Sequence, residues 1–532
     1  MKSIEGACCV ITVSELQQNQ SHIPTIKPRS CSGAIVNLEP GIVICNALLF
    51  SPFINDTVLG NDQKIVLANN FNNKIQICVH YTGHQGVISN ECADKSSVVE
   101  GPSVSHLEAR LVLLVNCVEF KGALQRIFKP SDKWSFYGGD EDADALRDLH
   151  FLSWFAVLKV PTLSKYSQSE PVPWVNSTVL EKGCSVLACG SPFGSFCPDL
   201  FMSTLSKGIV SNLAGEENAL ILTDARCLPG TEGGGLFVKL PDTSCLVGLI
   251  VSPLCWKSSE WIGLTLVCSL HLILRNVAKS LKSHHPLREL LVKPSTEIRQ
   301  VPLKGQQESA PLNYPMVVLV ETGQLWGSGV LLSSSLVLTC RHVVNGKSRL
   351  TVRFNTNGRR SQVASGQVLY STKESSPYDI ALVQFQEPLS DVTIPEFATF
   401  FSPGEDVIVL GYGAFGENLG PSMTSGILSR AVTFRSKAVM LQTTCAVQAG
   451  ASGGAVVRAA TGELLGLVSS NTRDFSAKVT YPHLNFSIPV TVLEPLLHVF
   501  ARTGDAAAFQ ALDAAEDGVR RVWRLQATPS KL

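Results

Sequence analysis

Short apolar runs separated by glycine, serine and asparagine recur through the C-terminal half: VVLV from Val317, GVLL from Gly329, LVLT from Leu336, IALVQF from Ile380, VIVLG from Val407 and LLGLV from Leu464. Runs this short, rich in β-branched residues and bounded by turn formers, predict the strands of a barrel or sandwich. The longest apolar stretch near the middle, WIGLTLVCSLHLIL from Trp261, is too short to cross a bilayer and predicts a core strand leading into another buried element. After Pro489 the period changes. Phe509, Leu512, Val519 and Trp523 stand near helical spacing behind Asp505, a residue suited to capping, so a helical segment is expected to follow. From about Ser283 to Asn313, proline, charge and glutamine replace the pattern, as in an interdomain linker.

These shifts predict domains at 1–282 and 315–490, a linker at 283–314 and a helical segment at 491–532. A length of 532 residues with 45% apolar content fits two folded domains. Lys plus Arg and Asp plus Glu number 44 each, which removes the net field that draws nucleic acid or an anionic membrane, and protein or peptide partners are expected instead. The sixteen cysteines are scattered, often beside apolar residues as at Cys8, Cys45, Cys189 and Cys340, and the opening MKSIEGACCV lacks signal-peptide character. Reduced, buried thiols are expected rather than a disulfide framework. No pairing of cysteines and histidines has the spacing of a zinc site, so neither a metal nor another cofactor is expected.

Acyl transfer by serine needs a hydroxyl, a base, a carboxylate that holds the base in the right tautomer, and donors for the developing oxyanion. The C-terminal half offers all four. His342 follows a strand in SSSLVLTCRHVVNG, Asp379 precedes one in SSPYDIALVQF, and Ser452 lies in the glycine-rich turn QAGASGGAVV. Taken alone, His342 is equally a strand-end histidine, Asp379 a turn aspartate and the turn a common feature of β proteins. Their order, each beside a strand, makes them the candidate triad, with the N–H groups of Gly450 and Ser452 as the candidate oxyanion hole.

From about Pro315 to Pro489 the chain resembles the chymotrypsin-clan proteases, especially the HtrA/Deg branch, through GSGVLL from Gly327, TCRHVV from Thr339, YDIALVQF from Tyr378, GASGGAVV from Gly450, GLVSS from Gly466 and NFSIPV from Asn485. The resemblance implies a double β-barrel and a specificity pocket set near Ala446 and by Ser469, Ser470 and Asn471. With no acidic residue at those positions, cleavage after lysine or arginine is not expected; a small or thiol side chain fits better.

A fainter copy of this pattern runs through the first half. CSGAIVNLEPGIVICNALLF resembles GSGVLLSSSLVLTCRHVV, placing Ala47 opposite His342; FLSWFAVLKV places Trp154 opposite Asp379; and LPGTEGGGLFV places Glu232 opposite Ser452. The expected fold is therefore mainly β: two trypsin-like double-β-barrel domains in tandem, the first degenerate and the second catalytic. An insertion near 121–150, with the acidic run GDEDADALRD, is expected to be an exposed loop.

The sequence ends Ser530-Lys531-Leu532, the tripeptide read by a peroxisomal import receptor. Joined to the triad and the degenerate copy, it resembles the peroxisomal processing proteases of this clan. That resemblance implies limited endoproteolysis in the peroxisomal matrix. It covers removal of amino-terminal targeting leaders, processing of some enzymes with carboxyl-terminal signals, including β-oxidation enzymes, and self-cleavage beside cysteine, for which Cys92-Ala93 is the candidate bond. Two rivals stay open at this level, a general quality-control protease and a non-enzymatic scaffold.

Overall fold

The computed structural model describes residues 4–16, 27–54, 63–68, 75–82, 104–136, 151–166, 172–240, 243–253, 255–258, 260–281, 316–323, 325–354, 362–390, 392–474 and 479–524. Cys92, Ala93, the linker at 283–314, the acidic run and the final tripeptide lie outside them. The chain divides into two compact units, Met1–Ser258 with Leu264–Gln306, and Ser259–Gly263 with Gln307–Leu532.

In the second unit the first barrel is closed by antiparallel strands in the order Val317–Glu321, Trp326–Ser333, Leu336–Thr339, Ala381–Phe385, Gln362–Ser371 and Arg349–Phe354. The second barrel runs Asp406–Gly411, Ser422–Phe434, Lys437–Thr443, Val479–Pro489, Leu464–Asp474 and Ala455–Arg458. The apolar runs of the sequence supply their inward faces: Val407, Val409, Leu428, Leu441, Val456 and Val468 form one buried cluster.

The first unit repeats this wiring. Its first barrel runs Val104–Asn116, Ile75–Thr82, Cys8–Glu15, Arg29–Asn37, Ile42–Asn46 and Trp154–Lys159, and closes where the last strand pairs with the first. Its second barrel runs Thr204–Ala214, Leu220–Thr223, Thr265–Ser269, Ser244–Ser252, Gly235–Lys239 and Ser185–Gly190. Taken cyclically, corresponding barrels have the same strand order, which shared composition alone does not produce. WIGLTLVCSLHLIL becomes the strand Thr265–Ser269 running into the buried helix Leu270–Ser280. None of the described helices is long and apolar enough to cross a membrane. The fifteen described cysteines are free thiols.

Two expectations change. The insertion opens as a helix, Val118–Ile127, because Phe120, Ala123, Leu124 and Ile127 form an apolar stripe and are buried. The residues behind Asp505 do not form one helix: Asp505 caps a 3₁₀ helix, Ala506–Leu512, by accepting from the Ala507 N–H at 2.8 Å, and a short α-helix, Asp517–Val522, follows.

Candidate active site

His342 sits in a four-residue helix, Arg341–Val344, that starts where strand Leu336–Thr339 ends. Asp379 lies two residues before strand Ala381–Phe385, which pairs with that strand. The pairing brings the two side chains together. His342 Nδ1 and Asp379 Oδ2 are hydrogen-bonded, and the His342 backbone N–H donates to Oδ1 at 3.0 Å. Burial raises the Asp379 pKa, but the His342 ring, the His342 N–H and the Arg341 guanidinium outweigh it and hold the carboxyl below its ordinary range. Asp379 is thus an anion at neutral pH that fixes the Nδ1–H tautomer and leaves the lone pair on Nε2, the arrangement a general base requires. Cys340, beside it, is buried and donates to the Val468 carbonyl at 3.3 Å, away from this chemistry.

Ser452 comes from the second barrel. Its hydroxyl donates to the Ser469 carbonyl at 3.3 Å, so it must turn from that acceptor to reach the imidazole, a tightening common when substrate arrives. Gly450 has φ +92°, and a Cβ there would stand 2.6 Å from the Tyr412 carbonyl, so only glycine fits. Among the described residues no acceptor takes the N–H groups of Gly450 or Ser452, which leaves both for an oxyanion. Ser328 fastens the turn: its hydroxyl donates to the Gly450 carbonyl at 2.8 Å and accepts from the Tyr412 N–H at 2.8 Å.

Ala446 is buried, Ser469 is buried with its carbonyl on Ser452, and Ser470 and Asn471 are partly buried on the same strand. The sequence reading missed the neighbours of Ala446. Gln448 is buried, its amide donating to the Ile262 carbonyl at 2.9 Å and accepting from the Ala414 N–H at 3.1 Å. Gly263 has φ +68°, and a Cβ there would stand 3.1 Å from Ala446 Cβ and Pro482 Cγ and 3.2 Å from His483 Nε2. Ile262 and Gly263, part of the second unit, therefore stand beside Gln448 and Ala446.

Also unforeseen is how the Asp379 loop is held. Asp513 Oδ1 accepts from the Lys373 N–H at 2.8 Å and Oδ2 from the Tyr370 hydroxyl at 3.1 Å, while the Leu512 carbonyl accepts from Ser376 Oγ at 2.9 Å. Arg520 binds the Asp513 carbonyl at 2.7 Å and also the Ser375 carbonyl. No local motif encodes these contacts.

The corresponding place in the first unit has the same frame with different chemistry. Ser32 Oγ donates to the Gly230 carbonyl and accepts from the Ser191 N–H, both at 2.8 Å, as Ser328 does. Gly233 N–H donates to Ile250 at 2.7 Å, as Gly453 N–H does to Val468 at 2.7 Å. Glu232 thus stands at the Ser452 position, and Trp154 at that of Asp379. The expected match of Ala47 to His342 is corrected to Leu48. Strand register pairs Ala34 with Ile44 and Val330 with Leu338, which places Asn46, not Cys45, opposite Cys340. The intervening hairpin is two residues longer in the first unit, closing on Asn37–Ile42 rather than Ser333–Leu336, and the shared cysteine hid the slip. The Glu232 carboxylate accepts from the Gly230 N–H at 2.7 Å and from its own N–H, so it fills the hole that Gly450 and Ser452 leave open. With leucine at the place of the base and this hole filled, the frame holds neither a base nor an open oxyanion hole among the described residues.

A histidine bonded to a carboxylate on one barrel, and a serine in a glycine turn with two free N–H groups on the next, define a trypsin-like serine peptidase. The trypsin-like peptidase domain matches residues 327–467, which include all three residues. The chain is 40% identical, over 99% of its length and 97% of theirs, to the peroxisomal leader peptide-processing proteases of Homo sapiens and Mus musculus. It belongs to that family. A solved serine endoprotease from Yersinia pestis is 25% identical, covering 36% of this chain and 64% of its own, with a TM-score of 0.29.

Two predictions follow from this geometry. Asp513→Ala is expected to lower kcat about 10- to 100-fold with KM little changed, because it frees the loop that holds Asp379 without touching substrate; a variant with normal kcat contradicts the latch. Burial pushes the Glu232 pKa up from 4.5 to about 7 against the pull of the two N–H groups. A carboxyl raised in this way favours the folded state at low pH, and that contribution is lost as pH rises through about 7. Glu232→Gln should therefore melt close to the parent at about pH 5 and above it at about pH 8. A pH-independent difference in Tm contradicts the assignment.

Proposed function

We propose that this chain is a peroxisomal matrix endopeptidase that removes amino-terminal targeting leaders from imported proteins. On this reading His342 takes the Ser452 proton as the oxygen attacks the scissile carbonyl, the Gly450 and Ser452 N–H groups hold the oxyanion, and Asp379 stabilises the imidazolium. His342 then protonates the leaving amine, and water releases the acyl-enzyme. The reading is supported above all by the hydrogen-bonded His342–Asp379 pair standing within a chain 40% identical along its length to proteases named for leader-peptide processing.

The same reading extends to some enzymes with carboxyl-terminal targeting signals, including those of β-oxidation, and to self-cleavage at Cys92-Ala93. Ser530, Lys531 and Leu532 address the chain to the import receptor. A neutral pocket at Ala446, Ser469, Ser470 and Asn471 suits a small or thiol side chain before the cut bond. The silenced first unit makes no second cut.

The test compares purified chain and Ser452→Ala on a folded, leader-bearing matrix protein and on denatured casein. One cut at the leader is expected, slowed by several orders of magnitude in the variant, with casein largely spared. Equal digestion of casein would make this a quality-control protease. Undiminished processing by Ser452→Ala would remove the nucleophile assignment.

A further inference from the structure

We propose that Cys78, His80 and His106 bind a zinc ion on the outer face of the first unit's first barrel. Strands Ile75–Thr82 and Val104–Asn116 pair antiparallel, with His80 directly opposite His106 and Cys78 opposite Glu108. Ile77, Val79, Tyr81, Leu107 and Ala109 face the barrel core. Strand alternation therefore sends Cys78, His80, His106 and Glu108 together to the other side. Residues two apart on one strand, with a third across the ladder, are close enough to share one ion.

One ligand atom from each of Cys78, His80 and His106 lies within 4.8 Å of the other two. Bonds of about 2.3 Å to sulfur and 2.0–2.1 Å to nitrogen put neighbouring ligands of a tetrahedral zinc roughly 3.5 Å apart. Side-chain rotation of about 1 Å closes that gap, and His106 is exposed and free to make it. A second observation concerns His80. Its Nε2 is hydrogen-bonded to Thr12 Oγ1 at 3.1 Å, while its Nδ1 is buried with no hydrogen-bond partner among the described residues. The Thr12 hydroxyl donates to the Cys78 carbonyl at 3.4 Å, so its oxygen accepts from the His80 Nε2–H and leaves the lone pair on Nδ1, the support that a metal-bound histidine receives from its surroundings. Thiolate with two imidazoles suits zinc, the fourth position falls to water, and the Glu108 carboxylate on the same face adds charge that favours a cation.

The placement has a consequence for the nicked chain. One of the two strands precedes and the other follows the connection that contains Cys92 and Ala93, so the ion ties together the segments on either side of the proposed self-cleavage bond.

Full-length chain carrying Ser452→Ala, reduced and freed of metal, is titrated with Zn²⁺ against a chromophoric chelator. One zinc per chain is expected. Cys78→Ser and His106→Ala should each weaken binding at least about 100-fold, and Thr12→Val about 10- to 100-fold. Cobalt in place of zinc should show thiolate-to-metal charge-transfer absorption that Cys78→Ser lacks. The exposed position of His106 lets His106→Ala keep the fold, checked by an unchanged metal-free Tm. No zinc retained by the parent, or affinity equal to the parent's in Cys78→Ser and His106→Ala, overturns the proposal and leaves His80 and His106, whose rings meet edge to face with centroids 4.7 Å apart, as simple packing. Because this chain lacks Ser452, neither outcome bears on the protease reading.

Discussion

One hydroxyl on the first barrel of each unit fixes the glycine turn of the second. Ser328 bridges the Gly450 carbonyl and the Tyr412 N–H, and Ser32 bridges the Gly230 carbonyl and the Ser191 N–H, every distance being 2.8 Å. In each case the serine leaves its own barrel and satisfies two backbone groups of the next. The candidate triad is split across the same seam, His342 and Asp379 on one side and Ser452 on the other, so its geometry depends on that seam holding. A buried backbone carbonyl left without its donor costs about 1–3 kcal/mol and frees the turn that carries the oxyanion donors.

The two copies show which part of such a site is frame and which part is chemistry. Strand order, the serine bridge and the paired hydrogen bonds of Gly233 and Gly453 recur. The three reactive positions do not, and Leu48, Trp154 and Glu232 change them in a way that closes the site as well as disarming it. A carboxylate seated on the anion-binding N–H groups is a permanent occupant of a place meant for a transient one. Its raised pKa marks the cost of burial there.

The candidate triad was legible because each member sits in a short local motif at a strand end, and glycine spacing alone reports the turn. The silent copy was legible for the same reason at Trp154 and Glu232. It slipped by one position at Leu48 because a longer hairpin and a repeated cysteine favoured the wrong register. Contacts made only by folding left no sequence signal. Asp513 reaches back to Lys373, Gln448 to Ile262, and Cys78 and His80 meet His106 across a strand pairing, so no spacing rule brings them together. The C-terminal segment reads as helical from its period, yet its contact with Tyr370 and Lys373 comes from the Asp513 carboxylate, between two helical pieces.

The proposed function rests on one working site of two, with Ser452 as its nucleophile. Labelling the intact chain with a fluorophosphonate, followed by mass-spectrometric location of the adduct, tests it most directly. A single adduct is expected on Ser452, lost in His342→Ala and absent from the Gly230–Gly234 turn. An adduct elsewhere, or none on a folded chain, would contradict it.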